Sequence, residues 1–200
     1  MTDPANPKVV GELKIPGFSN YLHPIDDGNL ILAVGQDADE EGRVNGLQIA
    51  MYDVTDFANP TQVKKFSENA SDDYSSSAAQ YDHQAFRYLP ETEALILPVQ
   101  QYGETMFDGF VVYDVPVQID QRFGVSFKIS HVDENMQSCW SHSSLTARSM
   151  VFNGRVTTLK GHTVLSHDLS DKDRQWLLNL DKDQDQTKEC TSWMSWLYYL

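Results

Sequence analysis

Apolar and polar positions alternate with period two along most of this chain. The clearest case begins at the turn signal Asn45-Gly46. Leu47, Ile49 and Met51 then alternate with Gln48, Ala50 and Tyr52, followed by Val54 and Thr55. Such alternation predicts a half-buried strand. It stops at Asp56-Phe-Ala-Asn-Pro60, where Asp and Asn favour turns and Pro removes a ladder donor. No helix-period amphipathic stretch interrupts this pattern.

The pattern recurs in sets of four. The first set is Tyr21–Ile25, Leu30–Val34, Leu47–Val54 and Val63–Phe66, with Asp26-Asp-Gly-Asn29 as a hairpin turn. Leu30–Val34 is continuously apolar, as expected of a strand covered on both faces. Residues 67–80 read as a polar linker. The second set is Tyr81–Tyr88, Ala94–Val99, Gly109–Val115 and Val125–Ile129, with a turn at Pro90–Glu93. The third is Arg148–Phe152, Arg155–Leu159, His162–Leu169 and Trp176–Leu180, whose first two strands flank Asn153-Gly154, the strongest short hairpin signal. An aspartate ends each third strand, at Asp53, Asp114 and Asp168.

Four strands in a repeat of about 50–60 residues fit a β-propeller blade better than a solenoid or sandwich. The expected fold is therefore all-β: about three four-stranded blades of a partial ring. The predicted organisation is a partial blade at 1–17, blades at 18–68, 80–133 and 144–180, and an acidic then aromatic tail at 181–200. Asp3-Pro-Ala-Asn-Pro7 nearly repeats Asp56-Phe-Ala-Asn-Pro60. The Val9–Ile15 stretch that follows it is predicted as the outer strand of a further blade. Closed propellers typically have four to eight blades. The chain is thus expected to be a fragment, or an arc that self-associates through unclosed blade edges.

Five stretches in order carry a resemblance. They are Asp3-Pro-Ala-Asn-Pro7, Gln36-Asp-Ala-Asp-Glu-Glu-Gly-Arg43, Tyr52-Asp-Val-Thr-Asp56, Tyr81-Asp-His-Gln-Ala-Phe86 and Ala147-Arg-Ser-Met-Val151. Together they resemble a secreted β-propeller domain family of bacteria and archaea, distantly related to WD repeats, over residues 3–180. The family domain is much longer, and the likeness is to its C-terminal part. The resemblance implies a blade fold, an extracellular or cell-envelope location and no established activity.

Charge narrows the partners. Fifteen basic against 29 acidic residues give a formal charge of −14, which argues against nucleic acid, since phosphate binding needs Lys and Arg patches. An acidic balance suits a solvated surface, cations or a basic partner. Two cysteines, Cys139 and Cys190, make neither a disulfide scaffold nor a four-cysteine zinc site. They could form one disulfide or remain two thiols. Met1-Thr-Asp-Pro4 is polar rather than leader-like, and no apolar run approaches the roughly 20 residues of a membrane helix.

Three groups of residues could carry chemistry. His23 and His83 take equivalent places in the first strands of the first two repeats, with Asp82 adjacent and Arg148 near the same place in the third. First strands line a propeller's channel, so His23, Asp82, His83 and Arg148 are candidate channel residues, either as a ligand or metal pocket or as side chains that only fix strand register. Asp37, Asp39, Glu40 and Glu41 crowd one loop beside Arg43, which is either a calcium site or a solvated loop. Asp181, Asp183 and Asp185 have the alternation of a calcium loop, but Gln186 and Ser192 stand where an EF-hand needs Gly and Glu. Cys139 and His142 are too close in sequence to suggest a catalytic pair, and no catalytic residue is assigned.

Three readings follow. The first is a non-enzymatic binding or scaffold domain for an unknown protein or small-molecule ligand. The second is a metal-dependent enzyme with its site in the channel. The third is a calcium-stabilised structural domain. Fold alone does not choose between them.

Overall fold

A computed structural model describes residues 5–68, 74–103, 106–131, 147–161, 163–172 and 174–180. The regions predicted as Asp181, Asp183 and Asp185, Cys139, His142, Cys190 and the aromatic tail lie outside them. The described chain is all-β, built as three antiparallel sheets.

The first sheet runs in chain order: β1 (Phe18–Ile25), β2 (Leu30–Ala38), β3 (Val44–Asp53) and β4 (Thr61–Ser67). The second contains β5 (Tyr74–Ser77), β6 (Arg87–Leu89), β7 (Ala94–Tyr102), β8 (Phe107–Asp114) and β9 (Gly124–Ser130). The third contains β10 (Ala147–Phe152), β11 (Arg155–Lys160), β12 (Thr163–Asp168) and β13 (Arg174–Asn179), again in chain order. These are three blades of a partial β-propeller.

The three aspartates end β3, β8 and β12, and their surroundings match. The amide after each one donates back to the hairpin that precedes the sheet's next strand inward, β1–β2, β6–β7 or β10–β11: Val54 N to Asn29 O, Val115 N to Glu93 O, and Leu169 N to Gly154 O, at 2.7–2.9 Å. Asp53 and Asp168 also accept from the amides of Thr55 and Ser170 at 2.9 and 2.8 Å. Hydroxyl bonds from the Thr55 and Ser170 side chains, and then these amide bonds, hold both carboxyls below the usual carboxylate range. The second repeat has Pro116 at that place, which has no amide to donate. Left-handed residues mark these same hairpins: Asp26 and Asp27, Glu93, and the pair Asn153-Gly154, the last being the conformation that Asn-Gly supplies at least cost.

Burial follows blade position. In β7 alternate side chains serve two interfaces. Leu95, Leu97 and Val99, with Val111 and Tyr113 of β8, pack against Leu32, Val34, Leu47, Ile49 and Met51 of the first blade. Ile96, Phe110 and Val112 face the opposite way, onto Ala147, Val156 and Leu165 of the third. This is why Ala94–Val99 is continuously apolar: both faces are covered. In β11, by contrast, Val156, Thr158 and Lys160 are buried while Arg155, Thr157 and Leu159 are half-buried.

Two expectations are corrected. Tyr81–Tyr88 is not one strand. Residues 78–80 and 83–85 form 3-10 turns, and only Arg87–Leu89 pairs with β7. The rest of the first-strand pairing is made by β5, inside the stretch read as a linker, which places Tyr74–Ser77 opposite Val99–Tyr102. The cause is side-chain competition for backbone donors. Ser77 and Gln80 form a reciprocal capping box, and Asp82 caps the Gln84 amide at 3.0 Å. Second, Val9–Ile15 joins no ladder among the described residues. It crosses the β3–β4 turn so closely that a Cβ on Gly11 would lie 2.2 Å from the Phe57 carbonyl oxygen.

Candidate functional site

A cavity of about 520 Å³ lies where the first-strand regions of all three blades meet. Tyr21 and His23 reach it from β1, His83 and Gln84 from the turn before β6, Phe86, Arg87 and Tyr88 from that turn's end and β6, and Arg148 from β10. Tyr21 and His23 share a face because strand side chains repeat every two residues; Phe86 and Tyr88 do so for the same reason. The volume is in the range of small-molecule pockets, roughly 300–1,000 Å³. A second cavity, about 510 Å³, lies between residues 12–19 and the outer face of the first blade. Size does not separate the two. Chemistry does, since the first brings several rings and cations to one place.

One wall is aromatic. The Phe86 ring lies 4.8 Å from both the Tyr21 ring and the His23 imidazole, centroid to centroid, and His23 meets Tyr88 edge-on at 6.4 Å. The Tyr21 hydroxyl lies 3.3 Å from His23 Nδ1. Burial lowers the His23 pKa below its ordinary value, which favours neutral imidazole at neutral pH. Burial raises that of Tyr88, with Glu93 and Asp26 adding to it.

The other wall is cationic. Arg148 pairs with Asp82 at 2.8 Å and donates to Gln84 Oε1 at 3.0 Å and to the Ala147 carbonyl at 2.8 Å. The Gln84 amide and then Arg148 hold the Asp82 carboxyl below the usual range. Arg87, which also lines the cavity, donates from Nε to the Ser149 carbonyl at 2.9 Å. Among the described residues, no carboxylate lines this cavity, although the chain carries a formal charge of −14.

The structure thus brings His23, His83 and Arg148 to one cavity and sets Asp82 behind Arg148. His83 arrives on a 3-10 turn rather than on the expected strand. Tyr21, Gln84, Phe86, Arg87 and Tyr88 join them in the lining, beyond the sequence candidates. The signal for Tyr21 was its i, i+2 relation to His23. The signal for Phe86 was its place in the Tyr81–Phe86 stretch.

The acidic loop is organised differently. Asp37 meets Lys65 Nζ at 2.5 Å and accepts from the Ser67 hydroxyl at 2.9 Å. Asp39 pairs with Arg43 at 2.7 Å, and Glu41 lies 3.4 Å from the same guanidinium. Amide and side-chain bonds from Arg43 hold Asp39 below the usual carboxylate range. Glu40 is exposed. A metal ion here would have to displace Lys65 or Arg43. Millimolar calcium is accordingly expected to move the melting temperature by less than about 1 °C, since only a ligand that binds the folded state raises it. A scan showing a rise of several degrees would identify this loop as a calcium site.

Comparison with known proteins completes the description. The profile of a family described as "Beta propeller domain" matches residues 1–172. An uncharacterized protein of Methanocaldococcus jannaschii is 37% identical over 103 residues, covering 52% of this chain and 15% of that protein. An uncharacterized protein of Archaeoglobus fulgidus is 38% identical over 103 residues, with the same coverage of each chain. The similarity thus spans well under a quarter of either relative's length.

Proposed function

Because this chain belongs to the Beta propeller domain family, whose match spans residues 1–172, we propose that it is a non-enzymatic binding domain whose ligand sits in the cavity between the first strands of its blades. The observation that carries this reading is the meeting of an aromatic wall and two guanidiniums from three separate sheets. Sites of that kind bind through a few fixed polar groups in an apolar setting. Here the polar groups are held in advance: Arg148 has three protein partners and Arg87 is tied to Ser149. Preorganisation reduces the entropy that binding would otherwise cost. An extracellular or envelope location is part of this proposal and rests on the resemblance alone.

A metal enzyme is less well supported. His23 and His83 offer two imidazoles, whereas a catalytic zinc typically takes three protein ligands. The nearest carboxylate, Asp82, is engaged by Arg148.

The test is histidine ring NMR on the purified chain during titration with a mixed set of cationic, neutral and anionic small molecules. At least one compound is expected to shift the His23 and His83 signals together while leaving His131 in place. A set in which no compound shifts either ring would sink the binding reading.

A further inference from the structure

We propose that the ligand of this cavity is a small organic oxyanion, a carboxylate or phosphate, carried on a flat ring. This rests on the cavity being a binding site and goes further by naming what it selects. The two halves of the site have different chemistry. Arg148 and Arg87 stand on one side, and guanidinium forks match carboxylate and phosphate oxygens two bonds at a time. On the other, Phe86, Tyr21, His23 and Tyr88 form an aromatic cluster with centroids 4.8–6.4 Å apart and planes inclined by 26–63°, whose faces and edges can pack against a flat ring.

Electrostatics fix the orientation. Glu93 and Asp26 lie close enough to Tyr88 to act on its hydroxyl, so that end repels an anion. No carboxylate is among the side chains lining the cavity in the described residues. Of the acids near it, Glu93 and Asp26 lie toward Tyr88, and Asp82 is matched by Arg148 and the Gln84 amide. Among the described residues Arg87 pairs with no carboxylate, and its Nε bond to a neutral carbonyl aims the guanidinium without neutralising it. In a chain of formal charge −14, a cavity whose described lining carries no carboxylate and includes Arg87 selects anions against the general repulsion of the surface. The oxyanion therefore sits at Arg87, with Arg148 beside it, and the ring lies over Phe86 and His23 toward Tyr88.

Calorimetric titration with four probes tests this: phenyl phosphate, 4-hydroxybenzoate, benzamide and inorganic phosphate. The two ring anions are expected to bind at least tenfold more tightly than benzamide or inorganic phosphate, and to weaken as salt rises. Arg87→Lys keeps the charge, removes the fork and should cost the ring anions about tenfold. Tyr88→Leu, which leaves both arginines in place, should weaken the ring anions without changing inorganic phosphate. Circular dichroism melts of both variants establish that they are folded. Benzamide binding as tightly as 4-hydroxybenzoate would overturn the anion assignment while leaving the cavity a binding site. Ring anions unaffected by Arg87→Lys in a folded protein would overturn it as well.

Discussion

Phe110→Ala is expected to destabilise the protein by about 3–5 kcal/mol, the range for removing a large aromatic side chain from a closed core. Phe110 is fully buried between the second and third blades. Its ring lies 5.5 Å from that of His131, so truncation removes packing on both sides of the interface. Leu97, equally buried, is the comparison on the opposite face of the same sheet, and Leu97→Ala should cost about 2–5 kcal/mol. Urea unfolding of the two variants measures both. A loss below about 1 kcal/mol for Phe110→Ala would mean that the third blade does not pack on the second as described, because surface substitutions fall in that range.

Mild acid should destabilise the chain through His131. Its Nε2 lies 2.9 Å from Thr158 Oγ1, and its own amide donates to the Asp108 carbonyl. Burial, with His167 nearby, lowers its pKa to about 4. An unfolded histidine titrates near 6.5. The folded value is the lower one, so the contribution is fully present above about pH 6.5, where both states are neutral. As pH falls toward 4, the unfolded chain takes up a proton that the folded chain refuses. Stability then drops by about 1.4 kcal/mol per pH unit, roughly 3 kcal/mol in all. Denaturant midpoints between pH 6.5 and 5 leave out most carboxylates, which titrate lower; His23, also lowered by burial, adds to the same window, so the variant is needed to assign the slope. His131→Gln should flatten that slope. A slope that persists in the variant would assign the acid sensitivity to another group.

The strands were legible because each obeys a local rule. Leu47, Ile49 and Met51 alternate, although the strand is covered on both faces rather than half-buried, with Gln48 and Ala50 buried too; Ala94–Val99 is continuously apolar, and Asn153-Gly154 takes the positive φ angles its residues favour. Equivalent aspartates then showed that the unit repeats. The break at residues 78–86 was not legible from alternation, because it depends on Ser77, Gln80 and Asp82 bonding to specific amides. Those residues look equally polar in a linker or at a strand edge. For the site, position within the repeat pointed to His23, His83 and Arg148 before any contact was known. Arg87 could not be found that way. Its role depends on the Ser149 carbonyl, 62 residues away in sequence, and on Asp82 being occupied by a different arginine. The pairing of His131 with Thr158 was hidden for the same reason: it exists only once two blades are stacked.

The unequal cover of the sheets has a consequence for how the molecule opens. Each sheet touches chiefly its neighbours, so local stability in such a stack is close to a sum of nearest-neighbour terms. Strands β7 and β8 are held from both sides, whereas Met150 and Phe152 of β10 are 58% and 70% exposed. Amide protons of β7 and β8, whose side chains are covered on both faces, are therefore expected to exchange more slowly than those of β10, whose Met150 and Phe152 meet solvent.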